Sequence, residues 1–235
     1  AKHHTGEPYH DVLARLHRVL APRTYLEIGI LRGDTLKLAS APAIAIDPRP
    51  RLPKGFRSRH RNVTIYRQTS DAFFEEHDPS ALLGAPLDFA FLDGLHTAEQ
   101  LLRDFINTER FASPDGVIVL HDCLPSDLGQ ARAAPADPAD HTRNRGCWAG
   151  DVWRLVPMLR KYRPDLVLNA FDAPPTGLMV VTGLDPANRR LADNEASILA
   201  QMKTLDLEAI GVSAFMAAQK VRPPTALRTR EDLKR

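Results

Sequence analysis

Short apolar runs dominate the first half of the chain, and longer amphipathic stretches separate them. Each run spans four to seven residues with little polar alternation, which is typical of strands in a parallel sheet covered on both faces. The pattern predicts strands at Thr24–Gly29, Ala43–Asp47, Val63–Tyr66, Leu87–Asp93 and Gly116–His121.

Apolar residues at helical spacing fill several of the intervening stretches. Tyr9–Leu20 carries such a stripe and ends before Ala21-Pro22, and Thr97–Phe111 and Asp151–Tyr162 show the same period. Strands that alternate with helices predict a doubly wound α/β fold with a parallel sheet. We expect residues 1–235 to form one domain.

The last third of the chain follows a different pattern. Leu166–Phe171 and Leu178–Thr182 flank a segment rich in proline and glycine, which predicts a hairpin at the end of the sheet. Helical stretches follow at Asn188–Leu205 and Leu207–Lys220. The polar tail Arg222–Arg235 is expected to be mobile.

Composition narrows the class of protein. A chain of 235 residues that is 43% hydrophobic can bury one substantial core, and a net charge of +2 gives no general attraction to nucleic acid or to membranes. Cys123 and Cys147 form no disulfide framework, and no run is apolar enough for a signal peptide or a membrane span. We therefore expect a cytoplasmic protein. The basic segment Arg49–Arg67 is expected to be a solvated loop, because no aromatic residues alternate with its charges as a nucleic-acid platform would require.

A glycine turn after the first predicted strand carries the first chemical signal. Gly29 and Gly33 follow that strand, and the next strand ends on Asp47, an acid that can hold the hydroxyls of a ribose. A nicotinamide site usually has three glycines around a pyrophosphate, which Glu27 would repel. Glu27 suits a cationic amino-acid group, so we infer S-adenosylmethionine. A nicotinamide site, or a tight turn with a solvated Glu27, is the alternative.

Ser70 and Asp71 follow the third predicted strand. Because ligands of open α/β sheets bind at the carboxyl ends of the strands, these two side chains are candidates for contact with the adenine edge. The alternative is that they cap the next helix.

The fourth and fifth predicted strands end on residues that bind metals or transfer protons. Asp93 and His96 follow the fourth strand, and His121 and Asp122 follow the fifth. Asp93, His121 and Asp122 are therefore candidate ligands of a divalent cation, magnesium if oxygen ligands dominate. The alternatives are that the acids cap helices and that the histidines are only hydrogen-bonded.

These motifs together resemble the class I S-adenosylmethionine-dependent methyltransferases, and within them the O-methyltransferases of macrolide-sugar and catechol type. The resemblance covers about residues 20–125. It rests on the segments Leu26-Glu27-Ile28-Gly29 with Gly33, Ile46-Asp47, Phe91-Leu92-Asp93-Gly94-Leu95-His96 with Glu99 and Arg103-Asp104, and Gly116 with His121-Asp122.

The resemblance implies a Rossmann-like, seven-stranded sheet with an antiparallel last strand. It further implies that Asp93 and Asp122 hold magnesium and that His96 is the base. Two positions depart from the pattern: Leu31 stands where many relatives have glycine, and His121 stands where acids or amides are commoner.

An insertion at Cys123–Asp151 leaves the fifth predicted strand directly after Asp122 and lacks periodicity over much of its length. A segment of this kind is often a lid, so His141, Arg143 and Trp148 are expected to contact the substrate. The alternative is that Trp148 packs the loop itself.

The sequence as a whole predicts an S-adenosylmethionine-dependent O-methyltransferase that acts on a hydroxyl of a sugar or other natural product. Asp93 and His96 are its expected catalytic residues. The apolar faces of the terminal helices are those that a homodimer or a higher oligomer would use. The alternatives are a metal-independent methyltransferase, a nucleic-acid methyltransferase and a cofactor-binding protein without catalysis.

Overall fold

A seven-stranded sheet forms the centre of the computed structural model, which describes residues 4–59, 62–132 and 148–233. In chain order the strands are β1 Tyr25–Ile28, β2 Ala43–Ile46, β3 Val63–Tyr66, β4 Leu87–Leu92, β5 Ala112–His121, β6 Val167–Phe171 and β7 Leu178–Thr182. Their order across the sheet is β3-β2-β1-β4-β5-β7-β6. Strands β1 to β5 pair in parallel, whereas β7 pairs antiparallel with both β5 and β6. The sheet confirms the predicted Rossmann-like arrangement.

Helices cover both faces of the sheet because its strands are apolar on both sides. The helices are α1 Tyr9–Leu20, α2 Ser70–Glu76, α3 Pro79–Leu83, α4 Ala98–Glu109, α5 Leu155–Tyr162, α6 Arg190–Asp193, α7 Glu195–Thr204, α8 Leu207–Ile210 and α9 Val212–Ala218. One face of the sheet packs on α1, where Leu13 and Leu16 join Tyr25 and Phe89 in a buried cluster. The other face packs mainly on α2, α4, α5 and α7. No helix in the described ranges is long and apolar enough to cross a membrane.

Two local differences from the sequence prediction have clear causes. Strand β5 begins at Ala112 rather than Gly116, because Leu87 pairs with Ala112 and Phe89 pairs with Val117, which makes the intervening Ser113–Gly116 segment a bulge. The two long helical stretches predicted near the C-terminus are each divided, into α6 with α7 and α8 with α9. Gly211 marks the second division, at a backbone φ of 83°.

The polar C-terminal tail was expected to be mobile, but the structure packs it against the sheet. Leu227 and Leu233 are buried in the same cluster as α1. The Leu233 carbonyl accepts hydrogen bonds from Asn169 Nδ2 and Thr182 Oγ1, at 2.9 and 3.0 Å. The few apolar residues of the tail, although widely spaced, therefore fix it to β6 and β7.

Candidate active site

A cavity of about 600 Å³ opens at the carboxyl edge of the parallel strands. Residues that follow β1, β2, β3, β4 and β5 all contribute to its wall. This is the edge where open α/β sheets bind their ligands. The sequence placed its main candidates at these strand ends, and the cavity brings most of them together.

The turn after β1 is held by Asp47. Asp47 Oδ2 accepts hydrogen bonds from the backbone N–H groups of Ile30 and Leu31, at 3.0 and 2.9 Å, and Oδ1 accepts one from Arg49 N at 2.7 Å. A carboxylate has about four lone-pair positions, so at least one remains for a ligand hydroxyl. Leu31 lines the cavity at a φ of 40°, an uncommon conformation for a residue other than glycine.

The two glycines of this turn have different roles. Gly29 lines the cavity at a φ of 85°, and a Cβ there would lie 1.9 Å from the Asp93 carbonyl oxygen. Gly33 is not among the residues that line the cavity in the described part of the chain. A Cβ at Gly33 would lie 2.4 Å from the Phe56 ring and 2.7 Å from Leu52. Gly33, predicted to bind the cofactor, thus permits packing of the loop after β2.

Glu27 also lies outside the described wall of the cavity, in contrast to its predicted contact with a cofactor ammonium. Side chains alternate along a strand, so the carboxyl group points to the same face of the sheet as Tyr25. It accepts hydrogen bonds from Tyr25 Oη at 2.7 Å and Thr35 Oγ1 at 2.5 Å. Complete burial raises the pKa of Glu27 to about 8, although both hydrogen bonds act in the opposite direction. Glu27 therefore stabilises the segment after β1 through its hydrogen bond to Thr35.

Ser70 lines the cavity at the start of α2, and its hydroxyl donates to Asp104 Oδ1 at 2.6 Å. Asp71 lies outside the described cavity wall and accepts from Gln100 Nε2 at 3.0 Å. The N-cap of α2 is Thr69, whose Oγ1 accepts from Ala72 N. Gln100 of α4 also lines the cavity, a contribution that the sequence analysis missed.

Two acids and two histidines converge at the ends of β4 and β5. Asp93 Oδ1 lies 3.1 Å from His121 Nδ1 and 3.5 Å from His96 Nε2. Asp122 Oδ2 lies 3.2 Å from His96 Nε2 and 3.3 Å from His121 Nδ1. Each carboxylate therefore contacts both imidazoles.

This arrangement alters the proton affinities of its members. Burial alone would lower the pKa of His121, but the charges of Asp122 and Asp93 outweigh burial and raise it well above the ordinary value. The pKa of His96 is raised too, because its hydrogen bond to Asp93 and the charge of Asp122 outweigh burial. Burial would raise the pKa of Asp93, yet the charge and hydrogen bond of His121 lower it to about 2. Without another cation, the two acids therefore hold the imidazoles in their charged form.

Trp148 fixes the orientation of His96. The Trp148 carbonyl lies 3.0 Å from His96 Nδ1, and the two rings stack with centroids 5.0 Å apart. A carbonyl oxygen only accepts, so Nδ1 carries a proton and Nε2 faces the two acids. Trp148 lines the cavity, as predicted for a substrate contact, whereas His141 and Arg143 lie outside the described residues.

A metal ion would find a mixed oxygen and nitrogen donor set here. Ligand atoms of Asp93, His96 and Asp122 all lie within 4.8 Å of one another. The sequence predicted His121 as the nitrogen ligand; the structure places His96 in this group of donor atoms, and His121 Nδ1 also lies 3.1 and 3.3 Å from the two acids. His121 Nε2 is buried and has no hydrogen-bond partner in the described part of the chain.

Two further residues at the site come from distant elements. Thr176, in the turn between β6 and β7, donates to Asp122 Oδ1 at 2.5 Å. Tyr9, at the start of α1, lines the cavity and lies with its ring 4.4 Å from that of His121. No spacing in the sequence links either residue to the strand ends, so the sequence analysis could not find them.

Comparison with known proteins agrees with this geometry. Residues 26–123 match a family model described as a methyltransferase domain. No curated protein matches the chain.

Several solved structures are similar in fold. They include the S-adenosylhomocysteine-bound methyltransferase PaMTH1 of Podospora anserina, with a TM-score of 0.53 and 14% identity over 75% of this chain and 78% of that chain. Cofactor-bound Rv0187 from MTB has a TM-score of 0.52 and 16% identity, over 77% and 80%. The O-methyltransferase TomG of Streptomyces achromogenes, in complex with S-adenosylmethionine, has a TM-score of 0.51 and 17% identity, over 74% and 78%.

The family match contains the glycine turn, Asp47 and both acidic strand ends, and it agrees with the resemblance drawn from those motifs. Residues 26–123 are therefore similar to a methyltransferase domain, and the fold of the chain is similar to that of methyltransferases of known structure.

Proposed function

We propose that this protein transfers a methyl group from S-adenosylmethionine to a hydroxyl of a small molecule, with a divalent metal held between Asp93 and Asp122. The observation that carries the proposal is that one cavity contains both the strand ends expected for the donor and the cluster expected for the acceptor. Reactants held in one cavity react as if at very high local concentration.

The donor half of the site is supported by Gly29, Asp47 and Ser70, all of which line the cavity. Asp47 retains acceptor capacity for ribose hydroxyls, and Ser70 offers a polar group for the base. The cofactor would supply an electrophilic methyl group on a sulfonium. The chain's task on this side is then to bind and orient, because the donor needs no further activation.

The acceptor half requires activation, since a neutral hydroxyl is a weak nucleophile. A bound divalent cation would lower the pKa of that hydroxyl. Asp93 and Asp122 supply the negative charge that such an ion requires, and His96 Nε2 lies next to both. His96 can act as a third ligand or as the base that takes the acceptor's proton. Both roles need an unprotonated Nε2. The Trp148 carbonyl keeps a proton on Nδ1, so Nε2 is the nitrogen that loses its proton, and a bound cation that offsets the charges of Asp93 and Asp122 would favour that loss.

The apolar side chains of the cavity wall favour a small methyl acceptor that has an apolar surface. Tyr9, Leu95, Trp148 and Pro175 line the same cavity as the acidic cluster. A sugar or an aromatic ring can pack against such side chains while a hydroxyl reaches the acids.

Radiolabelled methyl transfer from S-adenosylmethionine to a panel of hydroxylated small molecules tests the proposal. We expect turnover that stops after treatment with a chelator and returns with Mg²⁺ or Mn²⁺. Asp93→Asn should reduce turnover at least about 100-fold, the order found when one group that stabilises a transition state is removed. Glu75→Gln, which alters an exposed acid on α2, is the matched control and should leave turnover unchanged. Transfer to amine acceptors alone would contradict the proposal.

A metal-independent methyltransferase is the second candidate. It is favoured by His121, whose Nδ1 lies 3.1 and 3.3 Å from the two acids and already provides a buried positive charge there. The chelator experiment separates the two candidates. Turnover that survives complete metal removal, but is lost in His96→Ala, would establish a histidine base acting alone.

A further inference from the structure

A network of polar side chains lies behind Ser70 and joins α2 to α4. Its centre is Asp104, which is 1% exposed and belongs to the Arg103-Asp104 pair of the sequence motif. Asp104 Oδ1 accepts from Ser70 Oγ at 2.6 Å and from Gln100 Nε2 at 3.0 Å. The proposed chemistry gives this buried acid no role.

Charged neighbours fix the orientation of the Gln100 amide. Arg103 Nη2 donates to Gln100 Oε1 at 2.6 Å, while Gln100 Nε2 faces Asp71 Oδ1 and Asp104 Oδ1, both at 3.0 Å. A guanidinium only donates and an ionised carboxylate only accepts. The reversed amide would therefore place its oxygen against two acids and its NH₂ group against a cation.

The orientation of these neighbouring groups determines whether Ser70 donates or accepts a hydrogen bond in the cavity. The hydroxyl has one proton, which it gives to Asp104, and two lone pairs. Gln100 Nε2 lies 3.2 Å from Ser70 Oγ; because this NH₂ group has two protons and also faces Asp71 and Asp104, it occupies at most one of these lone pairs. The other remains, and Ser70 lines the cavity. Toward a ligand, Ser70 Oγ is thus an acceptor only.

The ionised form of Asp104 is required for this arrangement. Burial raises the pKa of Asp104 to about 6, despite its hydrogen bonds to Ser70 and Gln100. At pH 8 the carboxyl group is ionised and has no proton to return to Ser70.

We propose that Asp104 is a positioning residue for the nucleobase of the cofactor: by taking the Ser70 proton, it makes Ser70 Oγ an acceptor that selects a 6-amino purine over a 6-oxo purine. The inference rests on the proposed function. An amino group at the purine 6-position donates to Ser70. A carbonyl oxygen there would face a lone pair, and both groups would be unpaired. Leaving buried polar groups without partners costs about 1–3 kcal/mol, equivalent to roughly 5- to 150-fold in affinity.

Calorimetric binding of two product analogues at pH 8 tests this inference. S-adenosylhomocysteine and S-inosylhomocysteine differ in the amino or oxo group at the purine 6-position and in N1, which accepts a hydrogen bond in adenine and donates one in the 6-oxo base; Ser70→Ala identifies the part of the preference that depends on Ser70. We expect the wild-type protein to prefer the adenosyl compound by roughly 10- to 100-fold. Ser70→Ala should reduce that preference to a few-fold, because the acceptor is removed.

Asp104→Asn separates positioning from simple structural support. The asparagine amide can donate to Ser70 Oγ, which frees the hydroxyl proton to point into the cavity, so the preference should fall several-fold. Ser80→Ala is the matched control: Ser80 on α3 donates to the Phe111 carbonyl, and its loss should leave the preference unchanged. Thermal denaturation identifies any variant that fails to fold, and Ser70→Ala then provides the test.

The possible outcomes are distinct. A wild-type preference near one, or an Asp104→Asn variant that weakens both ligands equally, would overturn the inference and leave the proposed function intact. If the wild-type protein binds neither compound, the proposed function fails and the inference fails with it.

Discussion

Single residues at the site are constrained mainly by backbone that lies close to them. Gly29 is the clearest case, because it needs both a positive φ and the absence of a Cβ next to the Asp93 carbonyl. Gly55 has a similar φ of 77°, but nothing lies within 4 Å of the position that its Cβ would occupy. Comparing these two glycines separates the cost of a positive φ from the cost of a steric contact at the Cβ position.

Gly29→Ala should therefore be much more harmful than Gly55→Ala. We expect Gly55→Ala to lower the free energy of unfolding by about 1 kcal/mol, the cost of a left-handed conformation for alanine. Gly29→Ala should cost at least about 3 kcal/mol, because the end of β4 must also move. Urea denaturation measures both, and methyl transfer should be lost only in Gly29→Ala. Equal losses of stability would show that Asp93 does not constrain Gly29.

At the scale of elements, a buried histidine attaches α1 to the sheet. His17 packs edge-on against Tyr25 and Phe89, with ring centroids 4.7 and 4.8 Å apart, and its Nδ1 lies 3.2 Å from Ser40 Oγ. Burial, together with the charge of Arg59, lowers the pKa of His17 to about 4. The folded protein therefore keeps this imidazole neutral.

This burial predicts an acid-dependent loss of stability. The unfolded chain takes up a proton at His17 near pH 6.5 and the folded chain only near pH 4, so stability falls as the pH falls between these values. The shift corresponds to about 3 kcal/mol over the full interval. His17→Gln should flatten the dependence of the unfolding free energy between pH 7 and 5, relative to wild type. His77→Gln, on α2, is the control and should retain the wild-type slope; an unchanged slope in His17→Gln would refute the assignment.

The C-terminal tail is a second element whose attachment can be tested. Leu233 is fully buried, whereas Leu82 on α3 is 50% exposed. Leu233→Ala should lower the free energy of unfolding by about 2–4 kcal/mol, from lost burial and the cavity that remains. Leu82→Ala should change it by less than about 0.5 kcal/mol. Similar small effects of both variants in urea denaturation would favour a mobile tail, as the sequence predicted.

At the scale of the whole molecule, the sheet was readable from the sequence because buried parallel strands appear as uninterrupted apolar runs. The start of β5 was missed because a bulge carries turn-forming residues inside a strand. The packing of the tail was not readable from the sequence because Leu227 and Leu233 are separated by polar residues, and only the folded sheet gives these leucines a common surface.

Candidate site residues that directly follow a strand could be predicted from the sequence. The direction in which a side chain points could not. Asp47, Asp93, His96 and Asp122 follow directly from the rule that ligands bind at the carboxyl edge of the sheet. Glu27 is also close to that edge in sequence, but the alternation of side chains along β1 turns its carboxyl group away.

A divalent cation bound at the acidic cluster, as proposed, would link metal binding to the stability of the entire domain. Asp93 and Asp122 come from adjacent strands, so an ion bound between them joins β4 to β5 and binds the folded state alone. At about 100 times its dissociation constant, such an ion should stabilise the fold by about 2.7 kcal/mol, or about 5–10 °C in Tm for a chain of this length. Mn²⁺ should act at lower concentration than Mg²⁺, because His96 contributes a nitrogen donor. Differential scanning fluorimetry with each ion, against chelator, measures the shift. Asp122→Asn should abolish the shift, whereas Glu75→Gln should keep it. If the Tm of the wild-type protein is the same in chelator and in both metals, no ion binds at the cluster. The imidazolium of His121 would then be the cation that balances these two acids.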